Sequence, residues 1–300
     1  MGWHAMCGLR LGFYAKNKVV KWLNGLLFLA LLLCCCQLSA ETSYELPRSS
    51  VVELVEKSSG RIYPLYIQLP MSYAKNNSAV YPVIYLTDAQ YSFPLVAGAT
   101  RFPMNSGQMQ QAIIVAVAYE KGSADASSRI RDYTPTVAPA WQQQTGQAAE
   151  HRAFLRDAVF PYIEKNYRTK PADRTFIGHS LGGLFGAYML LTEPELFANY
   201  ILGSPSVWFD NSAILQTPMR SPKQKTNVYL AVGEYETPAF GEGQDMVAGA
   251  IKLREKLAAA KSLHIEVNFT IIKGASHATS FPTTAIQGLD WIYGIPDNKR

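Results

Sequence analysis

The chain has 300 residues, 48% hydrophobic and 17% charged, with a formal net charge of +5 and four cysteines. That composition excludes a disordered chain, a collagen and a coiled coil, and the length suits one large α/β domain. The charge and the cysteines raise nucleic-acid, anionic-membrane, disulfide and metal readings, which depend on where those residues stand.

Residues 1–40 carry Arg10, Lys16, Lys18 and Lys21 and no acid, then an apolar run over 22–36, then Ala40 before Glu41. A basic segment, an apolar core shorter than the ~20 residues that span a bilayer, and a small boundary residue predict a secretory signal peptide over 1–40. An uncleaved membrane anchor and a lipoprotein signal at Cys34, Cys35 or Cys36 are the alternatives. Cys7, Cys34, Cys35 and Cys36 all fall inside this segment. Residues 41–300 keep 24 basic and 23 acidic residues, a net of +1, and no cysteine. The expected product is an exported protein, periplasmic or secreted, with one domain over 41–300. No disulfide, cysteine metal site, cofactor or nucleic-acid partner is expected, and no membrane association after cleavage.

From residue 41 onward short apolar strands alternate with amphipathic helices, which predicts a mostly parallel central sheet with helices on both faces. Strands are expected at 62–69, 81–86 and 112–118, the last a continuous apolar run typical of a buried parallel strand. Residues 119–147 are polar and contain prolines, and read as a long surface loop. Apolar residues at helical spacing predict a helix over 151–167, kinked at Pro161. A short strand at 174–177 leads to a helix at 181–191. Further strands are expected from 200, at 228–232 and at 264–272, with helices at 246–260 and 284–293.

Gly178-His179-Ser180-Leu181-Gly182 is a G-x-S-x-G match with a strand running in and a helix running out. That is the setting of a nucleophile elbow, in which the backbone N–H of Leu181 faces a developing oxyanion. A serine needs a base. His277, after the last strand in the loop Gly274-Ala275-Ser276, is the candidate; His151, His179 and His264 read as structural. The acid should lie between them in the chain, after the strand at 228–232. Glu236 stands three residues past Gly233 and is preferred, with Glu234 as the alternative and Asp245 or a Ser–His dyad behind it. The second oxyanion donor should be the backbone N–H of Gln90, or else of Ala89, after the strand at 81–86.

These residues, with Tyr81-Pro82-Val83-Ile84-Tyr85-Leu86 and Asp88, Arg131-Asp132-Tyr133-Thr134-Pro135, Ser204-Pro205-Ser206-Val207-Trp208 and Trp291, make a longer pattern. The pattern resembles the esterase D-like branch of the α/β hydrolases, and within it the siderophore (enterobactin-type) esterases, over about 58–293. The resemblance implies the α/β-hydrolase fold, the Ser180–His277 pair and ester hydrolysis. The chain departs from the usual form at Ala89, where glycine is common, and in offering Glu as the acid. Arg129, Arg131, Tyr133 and Trp208 are candidates to line the substrate cleft, with an Arg131–Asp132 ion pair that holds the long loop and a core position for Trp208 as the equal alternatives.

The expected function is hydrolysis of small carboxylic esters, siderophore or acyl-sugar esters among them, through an acyl-enzyme on Ser180. An acyltransferase with the same acyl-enzyme and a non-catalytic esterase-like binding module are the competing readings.

Overall fold

A computed structural model describes Trp22 and residues 43–124, 126–259 and 264–296. Apart from Trp22, the expected signal peptide and all four cysteines lie outside the described residues. Eight strands form one sheet: β1 (Ser49–Val55), β2 (Ile62–Gln68), β3 (Tyr81–Leu86), β4 (Ile113–Val117), β5 (Thr169–His179), β6 (Asn199–Gly203), β7 (Thr226–Gly233) and β8 (Ile265–Ile272). Their spatial order is β1-β2-β4-β3-β5-β6-β7-β8. The β1–β2 and β2–β4 pairs are antiparallel, and every pair from β4 to β8 is parallel.

The strands expected from the sequence are all present. β5 starts five residues earlier than the apolar run implies, and β1 was not foreseen. β4 is buried along its whole length because helices cover both faces, whereas β1 lies at an edge and stays largely exposed.

Among the described residues, seven helices of seven or more residues surround the sheet: α1 (Ala89–Asn105), α2 (Ser127–Tyr133), α3 (Ala148–Phe154), α4 (Phe160–Asn166), α5 (Leu181–Thr192), α6 (Met246–Ala259) and α7 (His277–Tyr293). Alternation along β3 divides the core in two. Val83 and Tyr85 pack with residues of α3, α4, α5 and α6 on one face, and Ile84 and Leu86 with residues of α1 and α7 on the other. No helix among the described residues is long and apolar enough to cross a membrane.

Three expectations need correction. The helix expected over 151–167 is two helices, α3 and α4, joined by a π turn at Leu155–Val159. Pro161 has no N–H for the carbonyl of residue 157, and the wider turn just before it absorbs the mismatch. The loop expected at 119–147 contains α2, whose Ser128, Arg131, Asp132 and Tyr133 are buried. The last helix starts at His277, not at 284, because Ser276 and Thr279 form a capping box ahead of Pro282.

His151 is enclosed by the rings of Tyr63, Tyr133, Phe154 and Phe185, with centroids 5.3–5.8 Å away. Burial lowers its pKa, against the opposing pull of Asp132. The folded protein therefore holds this histidine neutral, while the unfolded chain protonates it near pH 6.5. Its contribution to stability is complete above about pH 6.5 and is lost as the pH falls below that value toward the folded-state pKa. The slope is at most about 1.4 kcal/mol per pH unit. Thermal melts between pH 7.5 and pH 5 should show a smaller loss of Tm in His151→Phe than in the wild type; parallel losses would refute the assignment.

Candidate active site

β5 delivers His179 and Ser180 to the C-terminal edge of the sheet, and α5 departs at Leu181. Ser180 has φ 59° and ψ −118°, outside the regions that side-chain-bearing residues prefer. Three backbone bonds hold it there: Ser180 N–H donates to Gly203 O at 2.9 Å, and Ser180 O accepts from Leu184 N–H at 2.9 Å and Ser206 N–H at 3.1 Å. The turn closes only because two neighbours are glycines. A Cβ on Gly178 would stand 2.3 Å from the Gly182 carbonyl oxygen, and one on Gly182 would stand 2.4 Å from Thr87 Oγ1.

The bare flank of Gly182 lets Thr87 and Asp88 lie against the elbow, which brings the start of α1 to the start of α5. Asp88 takes a left-handed conformation (φ 56°) and its carbonyl accepts from the N–H groups of Tyr91 and Ser92, both at 2.9 Å. The N–H groups of Ala89, Gln90 and Leu181 open their helices and stand outside the helical ladders.

His277 is the first residue of α7. Its Nδ1 lies 2.6 Å from Glu236 Oε2. Glu236 is fully buried, and its other oxygen accepts from Gly233 N–H at 2.7 Å and Ser204 Oγ–H at 2.6 Å. Burial alone would raise the pKa of this carboxyl, but the hydrogen bonds from His277, Ser204 and Gly233 outweigh it and leave the pKa lowered. The carboxylate thus stays ionised in a buried setting and claims the Nδ1 proton.

His179 packs beneath His277, with ring centroids 4.7 Å apart, and its Nε2–H donates to the His277 carbonyl at 3.1 Å. Burial first, and then the charge of His277, hold its pKa down to about 4. It is a neutral prop for the start of α7. The Ser180 hydroxyl is hydrogen-bonded to Ser206 Oγ at 3.3 Å.

The structure therefore brings Glu236 onto His277 and braces His277 against the residue before Ser180. Glu234, the alternative acid, accepts instead from Gly274 N–H at 2.8 Å and braces the loop that leads to His277. Asp245 accepts from Ala248 N–H and caps α6.

A cavity of about 220 Å³ opens beside the elbow, bordered by His179, Asp88, Tyr91, Tyr119, Arg129 and Phe281 among others. Of the residues expected to line a cleft, Arg129 borders this cavity. Its Nε donates to Asp88 Oδ1 at 2.6 Å and its Nη2 to the His179 carbonyl at 3.2 Å. The other three do not border it. Arg131 is buried against Asp132 (2.7 Å), Glu120 (2.8 Å) and the Tyr63 hydroxyl (3.0 Å). Tyr133 is buried too, and its hydroxyl accepts the Asp88 N–H. Trp208 stacks on Trp141 and packs toward Val232 and Met246. Sequence reasoning missed Tyr91, Tyr119 and Phe281 around the cavity and Ser204 behind the acid. The Ser-Pro-Ser run after β6 was the one visible signal for Ser204.

The sequence signature of the Esterase family matches residues 57–288, and the chain belongs to that family. It is 30% identical over 267 residues to ferri-bacillibactin esterase BesA of Bacillus subtilis (strain 168), spanning 82% of this chain and 90% of that one. Among solved structures, the BES protein of Bacillus cereus aligns with a TM-score of 0.72 at 28% identity, over 85% of this chain and 98% of that one. Siderophore hydrolase EstB of Aspergillus nidulans aligns with a TM-score of 0.74 at 22% identity, over 85% and 97%, a likeness of fold. The architecture is that of the α/β hydrolases.

The elbow's dependence on bare backbone is open to test. Gly178→Ala should lower stability by about 1–3 kcal/mol, because the added methyl meets a carbonyl that cannot move without α5. Denaturant midpoints measure this, and an unchanged midpoint would show that the turn has room to spare.

Proposed function

We propose that this member of the Esterase family is an exported serine hydrolase that opens siderophore-type carboxylic esters through an acyl-enzyme on Ser180. The observation that carries the reading is the buried Glu236 carboxylate 2.6 Å from His277 Nδ1. A carboxylate there fixes the imidazole tautomer and leaves Nε2 as the basic nitrogen. A strained serine at a strand-to-helix turn close by is the group such a base serves.

In the proposed first step the Ser180 hydroxyl turns from Ser206 to His277. Oγ attacks the ester carbonyl carbon while its proton passes to Nε2. The carbonyl oxygen becomes an oxyanion held by the N–H groups of Leu181 and Gln90. Collapse breaks the bond to the leaving alkoxide, which takes the proton back from His277. Water, deprotonated by the same nitrogen, then attacks the acyl carbon and frees Ser180. Glu236 stays ionised throughout and stabilises the imidazolium.

The name of the Bacillus subtilis relative, a ferri-bacillibactin esterase, supports the substrate class, and the cavity beside His179 offers space for one part of a small ester. Export rests on residues 1–40, whose basic, apolar and small-residue segments fit a signal peptide. The single domain over 41–300 is part of the same proposal.

A hydrolysis panel of trilactone siderophores, acetylated sugars, feruloyl esters and p-nitrophenyl esters tests the reading. Ser180→Ala should lose at least about 10⁴-fold in kcat; retained turnover would overturn the mechanism, and turnover of aryl esters alone would remove the siderophore assignment. On the best substrate, Glu236→Gln should lower kcat by about 10³–10⁴-fold and Glu234→Gln by less than about tenfold. The reverse order would move the acid's role to Glu234.

A further inference from the structure

Ser204 is fully buried at the end of β6 and has φ 40°, a left-handed conformation that a serine adopts at a cost. Its backbone is tied down on the β7 side, where its N–H donates to Ala231 O at 2.7 Å. The hydroxyl this fixes is spent entirely on the site. It donates to Glu236 Oε1 at 2.6 Å and stands 3.0 Å from Ser280 Oγ. A hydroxyl has one proton, so with that proton on the carboxylate Ser204 accepts from Ser280. Ser280 lies in the first turn of α7, the turn that begins with His277. The start of α7 thus reaches Glu236 twice, directly through the imidazole and indirectly through Ser280 and Ser204.

We propose that Ser204 is a positioning residue for the acid: its hydroxyl holds the Glu236 carboxylate in the orientation that aims Oε2 at His277 Nδ1. The proposal rests on the serine-esterase reading above. Glu236 Oε1 has two donors, Gly233 N–H from its own loop and Ser204 Oγ–H from the neighbouring strand. The Gly233 bond spans three residues of one turn and moves with it. The Ser204 bond refers the carboxylate to β6, the strand that also accepts the Ser180 N–H through Gly203 O. Ser204 therefore sets acid and nucleophile on one shared strand end.

The test is a double-mutant cycle in the full chain, with a p-nitrophenyl ester as probe. Ser204→Ala should lower kcat about 10–100-fold with KM changed less than about threefold, since a misaimed base slows chemistry and not binding. In a Glu236→Gln background the same substitution should cost less than about twofold, because the group it acts through is already impaired. Ser204→Gly, which removes the hydroxyl but relieves the left-handed backbone, should match Ser204→Ala in both backgrounds, and it carries the test if the alanine variant does not fold. A full additional loss in the Glu236→Gln background, or wild-type kcat in Ser204→Gly, would overturn the positioning role. Ser180→Ala is assayed alongside: its retention of activity would overturn the underlying reading and this role with it, whereas an inactive Ser180→Ala beside an additive cycle would overturn the role of Ser204 only.

Discussion

Ser180 sits at φ 59°, ψ −118°, a conformation that costs a non-glycine residue on the order of 1–3 kcal/mol. The surrounding architecture keeps it there. β6 takes its N–H, α5 and the Ser-Pro-Ser segment take its carbonyl, and Gly178 and Gly182 clear the space into which its neighbours fold. The turn sets the half-buried serine at the edge of the sheet, starts α5 directly after it, and admits Thr87 and Asp88 alongside. The placement of the start of α1 against the elbow and the cavity beside it follow from that same close approach.

Charge is handled with equal economy. Among the described residues, the carboxylates buried at the site, Glu236 and Asp88, are surrounded by donors. Glu236 receives three hydrogen bonds, and Asp88 receives the Arg129 guanidinium and the Tyr119 hydroxyl. Removal of one partner from such a group costs more than the pair is worth in place, because the remaining charge is stranded in a poor solvent. His179 takes the opposite course: it stays neutral beneath His277 and adds no competing positive charge to the histidine above it.

The legible parts of the sequence were those set by local pattern. The apolar runs of β3, β4 and β7 and the glycine–serine spacing of the elbow are short-range signals, and so is the offset of Glu236 from Gly233. What escaped was set by contacts far along the chain. Arg131 and Tyr133 read as cleft candidates because they stand in a polar stretch taken as a loop, yet Tyr63, 68 residues from Arg131, joins the network that buries Arg131. α1 was missed because Pro94 and Pro103 interrupt its pattern, and the early start of α7 because Pro282 hides a helix that Ser276 had already capped. Phe281 and Tyr91 meet only when those two helices pack together.

The elbow strand β5 lies between β3 and β6, and Leu86 of β3 faces Ile177 of β5 across 91 positions of sequence. Pairing across such a separation carries a heavy loop-closure entropy, and contacts of this kind are slow to form. Two of the three hydrogen bonds that hold the serine, those to Gly203 and Ser206, exist only where β6 is docked on the far side of β5. The strained geometry of the elbow therefore belongs to the assembled sheet and not to the local sequence alone. A fragment that ended before β6 would carry the same glycine–serine spacing but lack the two bonds that hold the serine in its strained conformation.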